Sequence, residues 1–240
     1  MPADAETPPL SRETLAASTE RVLRRAAGAK PAILLARWAG RQVIVKDFSR
    51  NSWFVRHFYG RWLVAREARI YARLGGVPGV PAFRGRLDAL AFAVDRIEGA
   101  TLKALPHRLI TVQAFDELAD LLDCLHERGV IHLDCHQKTN VVLSPDGRPH
   151  LVDFATALWV GTNWLSRRLL VPLLGRADRW GLLKLKARYR PEALTAGEIR
   201  RLRLALMLAW LWPPALWRRL WRWRRGLKRA RNGDPGDDAN

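Results

Sequence analysis

The spacing of apolar residues in the first part of the chain predicts a strand pair followed by a helix. Two short apolar runs, residues 32–40 and 41–48, meet at Gly40 and Arg41, where a tight turn can join them. From residue 52 to 76 the apolar side chains recur near helical spacing until a glycine pair ends the pattern. This order predicts a hairpin of two strands with a helix after it.

Two further apolar runs, residues 80–88 and 89–97, predict a second strand pair after this helix. Ahead of the first pair, Ser11 is a residue type that caps helices, and a short helix is predicted over residues 11–27. The amino-terminal part of the chain therefore predicts the order strand, strand, helix, strand, strand.

The next segment returns to helical periodicity and then to short strands. Residues 111–129 form a clear amphipathic pattern that ends at a glycine. Three short runs rich in β-branched residues follow, with a Pro-Asp-Gly-Arg turn joining the last two: 130–133, 140–144 and 150–154. Residues 159–231 are rich in Trp, Arg and Leu and predict helices. An α+β protein is expected.

Composition adds a strong positive charge to this picture. The formal net charge is +18, and such a surface attracts the phosphates of nucleotides, nucleic acid or lipid headgroups. The two cysteines, Cys124 and Cys135, lack the spacing of a disulfide framework, which is typical of a reducing compartment. Residues 1–20 show no signal peptide, and the uncharged stretch 204–217 is too short to span a bilayer. A cytoplasmic location is therefore expected.

Two carboxylates and one amide flank the short strands that follow the amphipathic helix. His132 and Asp134 come first, Asn140 precedes the next strand, and Asp153 begins an Asp-Phe-Ala triplet after the third. This order resembles the catalytic core of the protein-kinase-like superfamily, whose motif is H-R-D-x-x-x-x-N followed by a strand pair and D-F-G. The resemblance covers about residues 30–160.

The resemblance implies a kinase that uses ATP and Mg²⁺ to phosphorylate a hydroxyl group. Asp153 and Asn140 would hold Mg²⁺ through their oxygen atoms. Asp134 would accept or orient the proton of the attacking hydroxyl, and His132 would support the loop. Taken singly, each of these residues could equally be an ordinary turn or cap residue.

The same family has a lysine on its third strand that pairs with a glutamate on the next helix. Lys46 lies near the end of the apolar run 41–48, and Glu67 is the only carboxylate of the predicted helix. We expect these two residues to pair and to bind nucleotide phosphates. The alternative is a solvent-directed lysine at a strand end, with Glu67 paired to Arg66 or Arg69.

Further nucleotide contacts follow from the same resemblance. The adenine is expected at a gatekeeper position and the hinge after it: Val94, Asp95, Arg96 and Ile97. No G-x-G-x-x-G precedes Lys46, so only Gly28 could shape a turn that covers the phosphates. His136 and Lys138 lie where a positive group could meet the transferred phosphate, although solvated loop residues are an equal alternative.

The sequence departs from the family motif at three positions. Five residues rather than four separate Asp134 from Asn140, so either the loop bulges or Thr139 takes the metal position; we prefer the bulge. Leu133 replaces the arginine of H-R-D, which argues against regulation by a phosphorylated activation loop. Ala155 replaces the glycine of D-F-G.

A zinc site is an alternative interpretation of the same loop. His132, Cys135 and His136 could supply three ligands. No second Cys/His pair lies at the spacing that zinc sites use, since Cys124 stands alone in the predicted helix. The kinase-like interpretation is therefore preferred.

The resemblance implies a two-lobed protein-kinase-like fold with a truncated helical carboxyl-terminal lobe. Residues 20–98 would form an amino-terminal lobe that holds the nucleotide, and residues 99–197 would carry the catalytic and metal loops. Residues 1–19 are expected to be a flexible tail, residues 198–231 amphipathic helices rich in Trp and Arg, and residues 232–240 a disordered acidic tail.

The chain also resembles the small bacterial kinases of the RIO and lipopolysaccharide-kinase group. This implies a lipopolysaccharide-core or lipid-linked sugar as the preferred acceptor, with a protein Ser/Thr side chain as the second choice. A pseudokinase that binds membranes or nucleic acid is a third hypothesis. Trp interleaved with Arg in residues 198–231 favours an anionic membrane surface, at the inner membrane, over core packing or nucleic acid. A monomer is expected.

Overall fold

The computed structural model describes residues 11–211 and shows an α+β protein built around an antiparallel sheet. Residue contacts divide the chain into two compact units, one up to Pro191 and one from Glu192. The boundary predicted between residues 98 and 99 lies inside the first unit, and the one predicted between residues 197 and 198 lies inside the second. The candidate site is contained in the first unit.

A five-stranded sheet forms the first part of this unit, in the order β1-β2-β3-β5-β4 with every neighbouring pair antiparallel. The two predicted strand pairs are confirmed, but the turn between β2 and β3 lies at Ala39 and Gly40, which both have positive φ, one residue before the predicted Gly40 and Arg41. The strands are β1 Thr19–Arg24, β2 Ala32–Trp38, β3 Arg41–Asp47, β4 Phe83–Arg86 and β5 Ala91–Asp95.

The predicted amino-terminal helix is too long, and strand β1 was missed. Helix α1 spans only Arg12–Ser18, with Ser11 and Thr14 forming a capping box. Leu15 is buried against the sheet, so the flexible tail predicted for residues 1–19 is too long at its carboxyl end; residues 1–10 lie outside the described part. Strand β1 is an edge strand with mostly exposed side chains, so it carries no clear alternation of apolar residues.

The predicted helix after β3 begins as a π-helical turn, Val55–Tyr59, and continues as α2, Gly60–Arg73. Its buried stripe faces the sheet and the neighbouring core: Leu63, Val64, Glu67, Ala68, Ile70 and Tyr71. A Cβ at Gly60 would lie 2.9 Å from Phe48 Cβ, so glycine permits this close approach.

The second part of the unit contains the predicted helix 111–129 as α3, Val112–Glu127, capped by Thr111. Two small antiparallel sheets accompany it, in the orders β6-β8-β9 and β10-β7. The three predicted short runs all contain strands, whereas β6 and β10 were not predicted. The strands are β6 Ala100–Thr101, β7 Val130–Ile131, β8 Val141–Leu143, β9 Pro149–Leu151 and β10 Leu158–Trp159.

The helical prediction for residues 159–231 is confirmed for most of the stretch from Ser166 to Leu211, but Trp159 lies in strand β10 and a 3-10 turn, Pro191–Ala193, separates the two helices. A π-helical turn, Ser166–Leu170, leads into α4, Val171–Tyr189, and the second unit contains α5, Ala196–Leu211. The rest of the predicted amphipathic helices and the predicted acidic tail lie outside the described residues. Within residues 11–211 no helix combines the length and apolarity needed to cross a bilayer.

One large apolar core runs from the sheet region into the helical region of the first unit. It joins α2, β5, α3 and the segment after β9 through residues such as Tyr71, Phe92, Leu118 and Phe154. Because this core is continuous, residues of β3, α2 and the loops around β8 and β9 are held close together. The candidate site lies where they meet.

Candidate active site

Lys46, on the inner strand β3, is the meeting point of three segments that are distant in sequence. Its Nζ contacts Glu67 Oε1 at 2.5 Å and Asp153 Oδ1 at 2.6 Å. Glu67 comes from α2, Asp153 follows β9, and Glu67 is only 1% exposed. The alternative partners considered for Glu67, Arg66 and Arg69, instead donate to backbone carbonyls. The structure therefore brings together the predicted pair and adds Asp153 to it.

The opposite charges of Lys46 and Asp153 stabilise each other in this cluster. Burial alone would favour the neutral amine, but the charges of Glu67 and Asp153 outweigh it and raise the pKa of Lys46. Burial also works against ionisation of Asp153, yet Lys46 holds the pKa of that carboxyl below its ordinary value. At neutral pH the site therefore contains an ammonium beside the Asp153 carboxylate.

The backbone around Asp153 is held in an uncommon conformation. Asp153 has a φ of 67°, a left-handed value that non-glycine residues seldom adopt. Its N–H donates to Tyr71 Oη at 3.3 Å, and the N–H of Phe154 donates to Glu67 Oε1 at 3.1 Å. Such strain persists only where surrounding contacts enforce it, and it is frequent at functional sites. Glu67 thus orients both Lys46 and the backbone next to Asp153.

Asp134 and Asn140 form the second part of the site. Asn140 Nδ2 donates to Asp134 Oδ2 at 3.1 Å and to the Asp134 carbonyl at 3.2 Å. The extra residue between them is taken up by two turns, in which Gln137 N–H donates to Asp134 O and Asn140 N–H to Gln137 O. Asn140 is buried, whereas Thr139 is exposed and donates its hydroxyl to Asn140 Oδ1. Asn140, rather than Thr139, is thus the residue that faces Asp134.

The two parts of the site are connected through the β8–β9 pair. The N–H of Val152 donates to the carbonyl of Asn140 at 2.9 Å. Because Asp153 directly follows Val152, this hydrogen bond holds the backbone next to Asp153 beside Asn140. His132 also joins them, because its Nδ1 accepts from the Asp134 N–H at 3.3 Å and its ring packs on Phe154 at 4.7 Å. The structure therefore places His132 as a support of the loop.

Burial lowers the pKa of His132 from its ordinary value of 6.5, so the folded protein keeps this ring neutral. Between the two pKa values the unfolded chain binds a proton that the folded chain does not. We therefore expect the free energy of unfolding to fall as the pH drops below about 6.5, by up to about 1.4 kcal/mol per pH unit. Urea unfolding of the wild type and of His132→Gln between neutral and mildly acidic pH measures this slope. An equal slope in both proteins would contradict it.

A buried carboxylate that the sequence analysis missed holds the loop before Asp134. Asp178, in α4, is fully buried; its Oδ2 accepts from the His132 N–H at 2.8 Å and lies 3.0 Å from His126 Nε2. Its Oδ1 accepts from the N–H of Leu133 at 2.7 Å, where the φ of Leu133 is 65°. Asp178 is therefore a positioning residue that fixes the backbone on the amino-terminal side of Asp134.

Two glycines allow α4 to approach this loop. A Cβ at Gly181 would lie 2.8 Å from Cys135 Sγ, and one at Gly175 would lie 2.9 Å from the His126 ring. Both flank Asp178 at a spacing of three residues, so they share its side of the helix. A single acidic residue between two glycines at this spacing is the sequence pattern that could have indicated a buried role for Asp178.

The zinc alternative is not supported by the loop geometry. His132 is buried against Phe154, and the Cys135 thiol points to the carbonyl of Asp178 at 3.3 Å. Burial raises the pKa of Cys135, which disfavours the thiolate that zinc requires. Within residues 11–211 no group of three or more His, Cys, Asp or Glu side chains is arranged to hold a metal ion.

Arg66 is a second residue that the sequence analysis did not assign to the site. Its guanidinium donates to the carbonyls of Ala155, Thr156 and Ala157, with a distance of 2.7 Å to Ala155 O. These carbonyls belong to the segment directly after Asp153 and Phe154. Arg66 thus ties this segment to the helix that carries Glu67.

The predicted adenine contacts lie at the end of β5: Val94, Asp95, Arg96 and Ile97. Val94 is buried in the core, and the Asp95 carboxylate forms a two-pronged ion pair with Arg84. The N–H groups of Asp95 and Arg96 already donate to the carbonyls of Ala82 and Gln42. Neither of these two N–H groups is available to adenine. The predicted adenine contacts are therefore limited to the other groups of residues 94–97.

Gly28 lies in the turn between β1 and β2, with a φ of 54°. Asn51 Nδ2 donates to the carbonyls of Gly28 and Lys30, which ties the turn to the chain after β3. Because Ala32 pairs with Asp47, this turn lies at the end of the sheet that carries Lys46. The turn therefore lies at the same end of the sheet as Lys46, and its role as a phosphate cover stays a prediction.

The two predicted phosphate-facing residues lie in the loop between Asp134 and Asn140. His136 is exposed, and its Nδ1 is 3.5 Å from Asp134 Oδ1. Lys138 is half-buried, and its carbonyl accepts from the N–H of Lys103 at 3.1 Å. His136 is thus next to the predicted base, and the backbone of Lys138 anchors the loop.

The donor atoms at Asn140 and Asp153 suit a magnesium ion. Both supply hard oxygens, and Mg²⁺ is usually held by one or two carboxylates together with substrate phosphates and water. The Asp153 side chain is 44% exposed, so a phosphate could reach it from solvent. The absence of a three-residue acidic cluster within residues 11–211 is compatible with such a shared site.

No protein-family model matches the chain, and none of the curated protein sequences matches it either. The interpretation of the site therefore depends on the residues and geometry described above.

Proposed function

We propose that this chain is an ATP- and Mg²⁺-dependent kinase with a two-lobed protein-kinase-like fold. The observation that carries the proposal is the contact of Lys46 Nζ with both Glu67 and Asp153, from three separate segments. The hydrogen bonds from Asn140 to Asp134, beside this cluster, support it further. A purely structural ion pair would need neither Asn140 nor Asp134.

In the proposed reaction a hydroxyl of the acceptor attacks the terminal phosphorus of ATP, the bond from that phosphorus to the bridging oxygen of the β-phosphate breaks, and ADP leaves. Asp134 accepts the proton that leaves this hydroxyl, and Lys46 binds the phosphates through its ammonium. Asp153 and Asn140 would hold Mg²⁺, which neutralises phosphate charge when bound. Glu67 keeps Lys46 in position, and Asp178 and His132 support the loop that carries Asp134.

The proposed acceptor is a hydroxyl of a lipopolysaccharide-core or lipid-linked sugar, reached from the cytoplasmic face of the inner membrane. The net charge of +18 supports an anionic surface as the working location. A Ser/Thr protein kinase is the alternative in the same class. A pseudokinase is the alternative in another class, and the engaged amides of Asp95 and Arg96 are the observation that favours it.

Transfer of labelled phosphate tests the proposal. The chain is incubated with Mg²⁺, γ-labelled ATP and separated lipid and protein fractions. Label is expected in the lipid-linked sugar fraction, because that acceptor class is the proposed one. Lys46→Met is expected to reduce labelling by at least about a hundredfold, since Lys46 is the proposed phosphate ligand.

The matched control is Lys184→Met, which removes an exposed lysine over the ring of Trp180 and should leave labelling unchanged. Label on protein Ser/Thr would support the protein-kinase alternative. ATP binding with no label in either fraction would favour the pseudokinase. Equal labelling by the wild type and Lys46→Met would contradict the proposal.

A further inference from the structure

An exposed group of aromatic side chains lies at the amino-terminal end of α2, outside the candidate active site. Each is between 39% and 65% exposed although large aromatic rings are usually well buried. Together with His57 we refer to them as the aromatic patch: Trp53, Phe54, Phe58, Tyr59 and Trp62. Contiguous exposed apolar surface of this kind marks an interaction site.

The rings of the aromatic patch contact one another. Trp53 is 4.8 Å from His57 and 5.7 Å from Phe58, and Phe54 is 5.3 Å from Phe58 between ring centroids. Tyr59 and Trp62 lie 6.3 Å apart. The aromatic patch therefore consists of one group of four contacting rings and one group of two, rather than of isolated exposed side chains.

A rigid base supports this surface. Tyr59 packs edge-on against the buried ring of Phe48 at 6.3 Å. The absence of a side chain at Gly60 lets the helix approach Phe48 closely, and no residue of the π-helical turn Val55–Tyr59 is buried. The rings are thus carried by a helical segment, residues 53–62, that is anchored through Tyr59 on Phe48.

The charge around the aromatic patch has one sign. Between Phe48 and Leu87 the only carboxylate is Glu67, which is 1% exposed and bound to Lys46. The Arg66 guanidinium lies over the Trp62 ring at 5.1 Å. Four further arginines of the same segment are exposed: Arg50, Arg61, Arg69 and Arg73. An anionic partner complements this surface.

We propose that the aromatic patch binds the interface of an anionic lipid bilayer. Trp and Tyr rings settle at the headgroup level, and neighbouring arginines bind anionic headgroups. A second copy of this chain is a poorer partner because the net charge of +18 repels it. Single-stranded nucleic acid is the other anionic partner, and the experiment below distinguishes it from a bilayer.

This proposal does not depend on the proposed kinase activity. It also differs from the membrane contact predicted for residues 198–231, because the aromatic patch belongs to the first compact unit. The protein can therefore bind vesicles even if it transfers no phosphate, and it can transfer phosphate even if the aromatic patch binds no vesicles.

Vesicle partitioning of the full chain tests the proposal. Phe54→Ser/Phe58→Ser is compared with the wild type on phosphatidylcholine–phosphatidylglycerol vesicles and on pure phosphatidylcholine vesicles. We expect partitioning onto the anionic vesicles to fall by about tenfold or more, because two exposed rings no longer enter the interface. The matched control is Val22→Ser/Leu23→Ser, which removes two similarly exposed apolar residues of β1 and should change partitioning less than about twofold.

A site-specific probe makes the test independent of any other membrane contact. An environment-sensitive dye is attached to Phe58→Cys in a Cys124→Ser background, where the remaining Cys135 is buried. Its emission is expected to shift to the blue with anionic vesicles, whereas the same dye at Leu109→Cys should not shift. Leu109 is 55% exposed, close to the 56% of Phe58.

Unchanged partitioning of Phe54→Ser/Phe58→Ser together with an unshifted dye at position 58 would overturn the proposal. Two other results for Phe54→Ser/Phe58→Ser would also overturn it, provided that vesicle binding stayed the same. One is dissociation of a dimer formed by the wild type, and the other is loss of binding to a single-stranded oligonucleotide.

Discussion

Replacing Asp134 with asparagine is expected to lower phosphate transfer by about 10²–10⁴-fold while Mg–ATP binding is retained. The amide oxygen of the new side chain can still accept from Asn140 Nδ2, which now donates to Asp134 Oδ2 at 3.1 Å. The loop geometry should therefore survive, but the group that takes the proton of the attacking hydroxyl is gone. Initial rates with the labelled acceptor fraction, together with a thermal shift by Mg–ATP, measure both effects.

The control for this variant is Asp116→Asn, which makes the same change at an exposed position of α3. It should transfer phosphate at the wild-type rate. If Asp134→Asn turned over normally, Asp134 would not be the base, whatever the identity of the acceptor.

Removing the carboxylate of Asp178 is expected to cause the largest loss of stability. Asp178→Ala leaves the N–H groups of buried His132 and half-buried Leu133 without an acceptor, at a cost of about 1–3 kcal/mol each. The free energy of unfolding should therefore fall by about 2–6 kcal/mol, and phosphate transfer should fall as the loop before Asp134 loosens. Urea unfolding measures the first effect through the shift of the midpoint at constant slope.

Asp123→Ala is the matched control, because Asp123 is the other carboxylate near His126 but is half-exposed and pairs with Arg179 at the surface. Its effect should remain within about 0.5 kcal/mol. A loss below about 1 kcal/mol for Asp178→Ala would show that Asp178 does not hold the loop.

The elements that the sequence predicted well are those whose faces differ strongly in polarity. Helix α3 and the strand pair β2–β3 are half-buried, so their apolar residues recur at the expected spacing. Strand β1 lies at the sheet edge with exposed side chains, and its polar sequence was taken for the end of a helix. An edge strand is held by backbone hydrogen bonds to one neighbouring strand, and these bonds do not require apolar side chains. The local sequence pattern therefore does not reveal such a strand.

The pair of Lys46 and Glu67 was predicted from the resemblance to the protein-kinase-like superfamily, and the structure adds Asp153 to it. Each is a charged residue next to an apolar run, and charges in such places are seldom buried without partners. The contacts of Asp178 and Arg66 could not be predicted in the same way. Their partners are mostly backbone N–H and C=O groups of distant loops, and backbone groups carry no sequence identity.

The predicted adenine contacts show a similar limit of prediction from sequence. Position in the motif selected Asp95 and Arg96, but the use of their N–H groups depends on strand pairing and on the chain before β4. The register of a sheet decides which amides remain for a ligand, and register is a property of two strands together.

Calorimetric titration with a non-hydrolysable ATP analogue tests most directly whether the site receives Mg–nucleotide. Binding is expected to require Mg²⁺, with a Kd of about 1 μM–1 mM, the range in which most enzymes bind their substrates. Lys46→Met and Asp153→Asn should each weaken this binding by about tenfold or more, since each removes one charged contact to the metal–phosphate group. Either of two results would contradict this: a folded wild-type protein that binds no Mg–nucleotide, or two variants that bind it as tightly as the wild type.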